Sequence, residues 1–368
     1  MKKRICALLL CAGMLFGVLM TGCGSPSNSN DAPVAPSESL SGDAPAASAG
    51  LDLPDIKLNY SSCFPDTHNF SILDKEWLEE LKTQANIEFT PYWNNALVSA
   101  TAPYTETLSG VSDMTHIPAG AESDHFLIDN AVQLFYYGET DQQVLFDTAR
   151  ELFAQTPEWQ AEFEGVRVNT WGASGMLSLH TTKPVTSLED IKGMSIRCTE
   201  DSAFKLIQAL GGNPVRMPIS ELFEALSKGI VEGVVLPLEA LQSTKVADLV
   251  SYSVPLNISG AYCPHSYISD ASYAKLTADQ QQIFDTLSLE RSQKQVDSLA
   301  EWDQVGVDYA TEKGVTFNTL SDEDYAQITE CMKQIAIDAI QELNAAGYDG
   351  QTIHDRARTI LSEQAANK

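Results

Sequence analysis

Apolar and polar positions along this chain change period many times, and each change marks an element. Ile56 to Ser62 alternates with period two, as a strand with one buried face does. Ile72 to Thr83 repeats its apolar residues three and four apart and predicts a helix, and Ile87 to Tyr92 and Ser112 to Ile117 return to strand patterning. Helices are predicted around Leu127 to Tyr137 and Gln142 to Ala154, and strands at Val166 to Trp171 and Leu177 to Thr181. Then come a strand ending near Arg197, a helix from Ala203 to Leu210, a strand from Pro214 to Met217, a helix from Ser220 to Lys228 and a strand from Val231 to Leu236. Ser220 reads as an N-cap, with Glu221 in the first turn to complement the helix dipole. Strands alternating with helices predict parallel sheets covered by helices, an α/β fold. The roughly 310 residues that carry this pattern suffice for two lobes. Ala278 to Tyr309 runs without Gly or Pro until Gly306, too long a helical pattern for one small lobe.

Within Gly193-Met194-Ser195-Ile196-Arg197-Cys198, Met194 and Ile196 alternate with Ser195 and Arg197. Period-two geometry sends Arg197 to the opposite face from Met194 and Ile196. A guanidinium fixed at a strand end offers parallel donors that fit a carboxylate. Against that anion clamp stands a surface arginine, or a structural ion pair with Glu200 or Asp201.

The first 23 residues read as an export signal. Lys2, Lys3 and Arg4 precede an uncharged apolar run from Ile5 to Met20, which ends in Leu19-Met20-Thr21-Gly22-Cys23, a string that resembles a bacterial lipobox. Cleavage before Cys23 would leave its thiol for acylation; the alternatives are an ordinary signal peptide or a membrane anchor, and the run falls short of the roughly 20 residues a bilayer crossing needs. Residues 24–54 are rich in Ser, Ala, Pro, Gly and Asn and read as a flexible tether. The expected home is the outer face of the cell membrane through a lipid on Cys23, or the periplasm.

Charge narrows the partners. With 23 basic and 50 acidic residues the net charge is -27. Nucleic acid is excluded as a partner, since phosphate binding needs a basic surface. An anionic ligand would need a local cationic site working against the overall field, which raises the weight of Arg197. Of seven cysteines, Cys63, Cys198, Cys263 and Cys331 fall in the folded part, widely spaced; a disulfide among them is left open. Neither they nor the six histidines show metal-ligand spacing, and no P-loop or GxGxxG string occurs, so no metal or cofactor is expected. Gly172-Ala173-Ser174-Gly175 lacks the spacing of a nucleophile elbow, which leaves an extracytoplasmic hydrolase as a minor rival and no catalytic residue to name.

From Lys183 to Leu241 the chain resembles the solute-binding proteins of TRAP (tripartite ATP-independent periplasmic) transporters, the DctP family. The resemblance rests on Lys183-Pro184, Leu188-Glu189-Asp190-Ile191-Lys192-Gly193, Ile196-Arg197, Gly211-Gly212-Asn213-Pro214-Val215-Arg216-Met217-Pro218, Ser220-Glu221-Leu222-Phe223-Glu224-Ala225-Leu226 and Gly229-Ile230-Val231-Glu232-Gly233, in that order and spacing. Weaker similarity runs from Ile56 nearly to the C-terminus. The resemblance implies a two-lobe fold like that of periplasmic binding proteins, with a long helix spanning both lobes and hinge closure over a ligand. On it, residues 55–174 and 261–300 are lobe I, and 175–260 and 301–368 are lobe II.

It further implies that Arg197 pairs with a ligand carboxylate between the lobes, and that the partners are a small organic acid and the TRAP membrane subunits, the protein itself being monomeric. Two departures shape the expected ligand. The strand before Lys183-Pro184 carries no second arginine, and Leu236 stands where many members have an asparagine that touches the ligand. One clamp within an apolar wall suits an apolar or aromatic monocarboxylate. The remaining candidates are Phe64 against the ligand, His68 either bonding it or capping the next helix, Pro118, Ile219, Glu200 beside the clamp, and Trp171 either in the pocket or in the core. The rival readings within the binding class are the solute-binding protein of an ABC importer and the receptor of a sensor system.

Overall fold

The computed structural model describes residues 52–117 and 120–368. The export signal, Cys23, the tether up to residue 51 and Pro118 lie outside the described residues. Eleven strands are described: β1 Ile56–Ser62, β2 Ile87–Tyr92, β3 Met114–His116, β4 Val166–Trp171, β5 Leu177–Thr181, β6 Ser195–Arg197, β7 Asn213–Val215, β8 Gly233–Pro237, β9 Tyr252–Ile258, β10 Pro264–Ser269 and β11 Thr316–Phe317. The helices are α1 Asn69–Ala85, α2 Pro103–Leu108, α3 Leu127–Gln133, α4 Gln142–Ala154, α5 Pro157–Ala161, α6 Asp201–Ala209, α7 Ile219–Ser227, α8 Ala240–Ser243, α9 Asp270–Tyr273, α10 Ala278–Glu312, α11 Asp322–Ala345 and α12 Gly350–Ala366.

The strands form two sheets, β2-β1-β3-β10-β4 and β11-β9-β5-β8-β6-β7. Neither is wholly parallel, which corrects the expectation from the alternating pattern: β10 runs antiparallel to β3 and β4, and β5 antiparallel to β8 and β9. These are the two strands that enter a sheet directly from the other one. The links between β4 and β5 and between β9 and β10 are too short to hold a crossover helix. A strand that starts at the shared boundary must therefore run away from it, opposite to neighbours that end there. The two links lie side by side: the Gly172 N–H donates to Cys263 O at 2.9 Å, and a Cβ on Gly260 would lie 2.5 Å from Ser174 Oγ. Only glycine permits that approach.

Helix α10 holds the two sheets in register. Its 35 residues rise about 52 Å at 1.5 Å each. Thr277 and Gln280 form a capping box at its start, a device worth about 1 kcal/mol. The fully buried Gln280 amide also donates to Pro54 O and Ala85 O at 2.9 and 2.8 Å. Midway, Gln295 donates to Ala173 O and Ser292 accepts from the Trp171 N–H, so the helix pins the first link. Further on, Gly306 lets the helix rest directly on the Leu238–Glu239 backbone, where any Cβ would collide with Leu238 O. Close to the tail, Arg358 of α12 donates to Phe135 O and Tyr137 O, and Lys205 of α6 pairs with Glu342 of α11.

Two local expectations change. Helix α1 begins at Asn69, with His68 at the cap. Helix α7 begins at Ile219 with Pro218 at the cap position, so Ser220 falls inside the first turn. The four cysteines of the folded part are all free.

Candidate functional site

Strand direction places one set of residues along a shared boundary. In the first sheet β1, β2, β3 and β4 end there, and β10 begins there; in the second, β6, β7, β8 and β9 end there and β5 begins there. Carboxyl ends of strands are where α/β sheets open crevices, because the loops that follow are free to diverge.

Arg197 is the last residue of β6 and only 3% exposed. Its strand register pairs it with Val234 of β8 and Val215 of β7, both apolar. The guanidinium has a single hydrogen bond, from Nε to Met217 O at 3.3 Å, and its buried Nη1 has no partner. The ion pairs weighed from the sequence are not formed. Asp201 pairs with Arg216 instead, and Glu200, at the cap of α6, accepts from its neighbour Thr199 at 3.0 Å. Burial pulls the Arg197 pKa down, and the field of Glu200 only partly offsets this. A guanidinium stays ionised in proteins, so a dry, unpaired positive charge results.

Among the described residues a second arginine is buried, and it shows what a structural one looks like. Arg291 of α10, also 3% exposed, donates to Asp74 Oδ1 through Nε at 2.8 Å and Nη2 at 2.7 Å, and bonds Gln295 and Phe70 O as well. Asp74 Oδ2 accepts from Tyr60 at 2.6 Å and from His116 Nδ1 at 2.8 Å. Burial alone would raise the Asp74 pKa, but Arg291 above all, then His116 and Tyr60, hold it well below the usual carboxylate range.

Around Arg197 the wall is apolar. Val234 and Leu236 share its face of the second sheet, since they stand two apart on β8 and Val234 is its registered partner. Leu236 is buried in a cluster with Leu222 and Leu241, and Ile219 and Met217 pack on that cluster half-buried. Met194 is buried on the other side of β6, with Ile196, as the alternation implied.

Across the boundary, the first sheet contributes aromatic and imidazole rings. Phe64 stacks on His68 with centroids 4.5 Å apart and meets Phe70 and His116 edge-on. His68 Nδ1 accepts from the Phe70 N–H, which settles its capping role, and burial lowers its pKa to about 4. His116 and His265 lie with centroids 4.6 Å apart, and Trp302 of α10 stands 5.9 Å from Phe70. Two contacts tie the edges together. A Cβ at Gly120 would lie 4.0 Å from Thr199 O, and the Asn69 amide donates to Glu239 Oε2 at 3.2 Å. Glu239 is pushed up to about 7 by burial and by Asp303, against hydrogen bonds from Ser243 and Asn69; burial likewise raises Asp303 to about 6.

The structure thus groups Arg197, Leu236, Ile219 and Glu200 at one edge and Phe64 with His68 at the other. Trp171 is half-buried and meets Phe153 and Trp159 edge-on, among core aromatics. The sequence reading passed over Asp74, Arg291, Glu239 and Asp303, and counted His116 and His265 only among the six histidines without metal spacing. Among the described residues no cluster fit to hold a metal ion occurs, and no helix is long and apolar enough to cross a membrane.

Comparison with known proteins adds the family context. Residues 64–342 match the profile of DctP, bacterial extracellular solute-binding protein, family 7. A solute-binding protein of Chromohalobacter salexigens is 22% identical over 251 residues, 67% of this chain and 73% of that protein. Among solved structures, a TRAP solute-binding protein from Rhodoferax ferrireducens, in complex with copurified benzoate, superposes with a TM-score of 0.75 at 22% identity, over 84% of this chain and 99% of that one. One from a Sulfitobacter species, with bound β-D-galacturonate, has a TM-score of 0.70 at 19% identity, over 82% and 99%. At these identities the likeness concerns the fold.

Proposed function

The chain belongs to the DctP family of bacterial extracellular solute-binding proteins, and from that premise we propose that it captures an apolar or aromatic monocarboxylate by closing its lobes around Arg197. As a family member it is a TRAP solute-binding protein and not an enzyme. It works outside the cytoplasm, binding small organic acids for the TRAP membrane components.

The observation that carries the proposal is the 3% exposed Arg197 guanidinium at the edge of the second sheet, which has no carboxylate partner and leaves Nη1 unbonded. A carboxylate docked there would supply the missing acceptor, in a bidentate pair strengthened by the dry surroundings. The rest of that wall is Leu236, Ile219 and Met217, with Phe64 opposite, and the neighbouring Arg216 is already engaged by Thr199 O and Asp201. A benzoate-sized acid matches that inventory better than a uronate, whose hydroxyls would face aliphatic side chains. The working parts are residues 55–174 with 261–300, and 175–260 with 301–368, swinging on the paired links. A lipid on Cys23 tethers the monomer to the outer face of the membrane.

A thermal-shift and titration screen of benzoates, aliphatic monoacids, dicarboxylates and sugar acids tests the reading. Monocarboxylates should raise Tm with the logarithm of their excess over Kd. Protection by dicarboxylates or sugar acids alone would overturn it, as would equal protection of a variant lacking Arg197.

A further inference from the structure

We propose that His116 and His265 form a second polar anchor at the far side of the cleft, selecting an acid that carries a hydroxyl on its apolar body. The inference rests on the reading of the cleft as a monocarboxylate site and assigns its other end.

Three histidines are buried among the described residues, His116, His180 and His265. His180 is the internal standard: fully buried, it bonds Ser253 Oγ through Nδ1 at 3.0 Å and Leu236 O through Nε2 at 3.1 Å. His116 and His265, 1% and 5% exposed, differ from it. His116 Nε2 and His265 Nδ1 are buried with no partner. Leaving a buried nitrogen unpaired costs about 1–3 kcal/mol. Two such atoms on adjacent rings need a common explanation.

Their surroundings point at a ligand. His116 ends β3 and His265 opens β10, so both stand on the boundary edge of the first sheet. The loop leaving His116 reaches Gly120, beside Thr199, two residues beyond Arg197. His116 cannot turn its free nitrogen away, because Asp74 holds Nδ1 and is itself held by Arg291. Since that carboxylate only accepts, Nδ1 carries a proton and Nε2 is the ring atom left without a partner. His265 is fixed by backbone: a Cβ on Gly172 would lie 2.5 Å from its ring, so glycine alone allows the contact. Phe64 and Phe70 close the sides with ring contacts of 5.3 Å to His116 and 5.4 Å to His265.

The chemistry selects the partner. A hydroxyl both donates and accepts, so it can bridge two neighbouring imidazoles in whichever tautomer they rest. A second carboxylate needs a cation, and Arg291 is already committed to Asp74. Burial, with His116 and Arg291 nearby, holds the His265 pKa well below its ordinary value, so His265 brings no positive charge to meet an anion. The matching class is a hydroxylated aromatic monocarboxylate, acid end on Arg197 and hydroxyl on the histidine pair.

Titration calorimetry of the purified protein with benzoate, 3-hydroxybenzoate, 4-hydroxybenzoate and isophthalate tests this. One hydroxybenzoate should bind at least about 10-fold tighter than benzoate, because a site built for a hydroxyl penalises its absence; isophthalate should bind more weakly than either. His116→Asn keeps a donor toward Asp74 but deletes Nε2, and His265→Gln deletes Nδ1. Each should shrink the hydroxybenzoate-to-benzoate ratio to within about 3-fold. Nitrogen-15 imidazole spectra of the unmutated protein give a readout independent of variant folding: His116 Nε2 and His265 Nδ1 should shift with hydroxybenzoate and not with benzoate. Benzoate and both hydroxybenzoates binding alike, without imidazole shifts, would refute the histidine anchor and leave the Arg197 reading standing. Isophthalate as the tightest of the four would refute it too. Failure of all four to bind would remove the aromatic-acid reading, and this inference with it.

Discussion

Replacing Arg197 by methionine should move stability and binding in opposite directions. Methionine keeps much of the length of the side chain and is at home beside Val215, Val234 and Leu236, its neighbours across the sheet. In the protein without ligand the substitution deletes a buried charge that holds a single 3.3 Å bond to Met217 O. Exchanging buried ionic groups for apolar ones of like volume is often stabilising by about 1–4 kcal/mol, and the poor satisfaction of Arg197 favours the positive side of that range. Each kcal/mol should raise Tm by about 1–2 °C in a chain of this size. With ligand the sign reverses. Losing a buried charge-assisted pair costs about 2–5 kcal/mol, which is a Kd weaker by about 30-fold to several thousand-fold. Denaturant unfolding without ligand, together with calorimetric titration of the tightest benzoate, reads both quantities. A variant less stable by more than about 1 kcal/mol that keeps its affinity within about 3-fold would show a structural arginine and refute the reasoning.

Asp74→Asn should destabilise the protein by about 3–5 kcal/mol, because it strands the Arg291 charge in the core; chemical denaturation measures it, and a loss under 1 kcal/mol would mean that Arg291 finds another partner. Glu239, pushed up to about 7 by burial, keeps its proton in the folded state where the unfolded chain, near 4.3, has released it, so its contribution to stability is present below about pH 4.3 and is lost as pH rises through 7. Glu239→Gln should therefore flatten the fall in Tm between pH 5 and 8, and an unchanged slope would place the titration elsewhere. Gly172→Ala should cost about 1–3 kcal/mol by driving a methyl into the His265 ring, read as a lower denaturation midpoint; a neutral result would show that the link yields freely. At a net charge of -27, a carboxylate ligand is repelled at long range, so its association rate should rise with added salt while dissociation holds steady, the reverse of steered binding; stopped-flow rates that fall with salt would contradict this.

Legibility of the chain followed periodicity. Strands β1, β2, β4 and β5 were read to the residue because each alternates over five or more positions between breakers. Strand β10 is buried along its whole length, Pro264–Ser269, so it offers no alternation to see, and its reversal of direction depends on a link whose role is tertiary. Helix α10 was visible by length, yet its buried face includes Ser288, Arg291, Ser292 and Gln295, polar residues that periodicity assigns to solvent. Arg197 was found through its motif, whereas its isolation from Glu200 and Asp201 was not legible, because it turns on Arg216 claiming Asp201. The imidazole pair was invisible for a similar reason. Residues 116 and 265 become neighbours only when β10 inserts beside β3.

The two buried arginines separate stability from function within one molecule. Arg291 carries its acid with it, so its charge is satisfied in every state in which α1 and α10 stay packed. Arg197 depends on what enters the cleft. When the proposed lobes part, water hydrates the guanidinium; when they shut empty, the cation is left dry beside Leu236 and Val234; when they shut on a carboxylate, it is paired. If pairing is worth the same 2–5 kcal/mol that its removal costs, the ratio of closed to open molecules changes by about 30-fold to several thousand-fold on loading. A neutral side chain at residue 197 would pack well and still bind an apolar body, but it would close with or without cargo. The unsatisfied charge penalises empty closure, and that penalty would let a membrane partner distinguish a loaded protein from an empty one by shape alone.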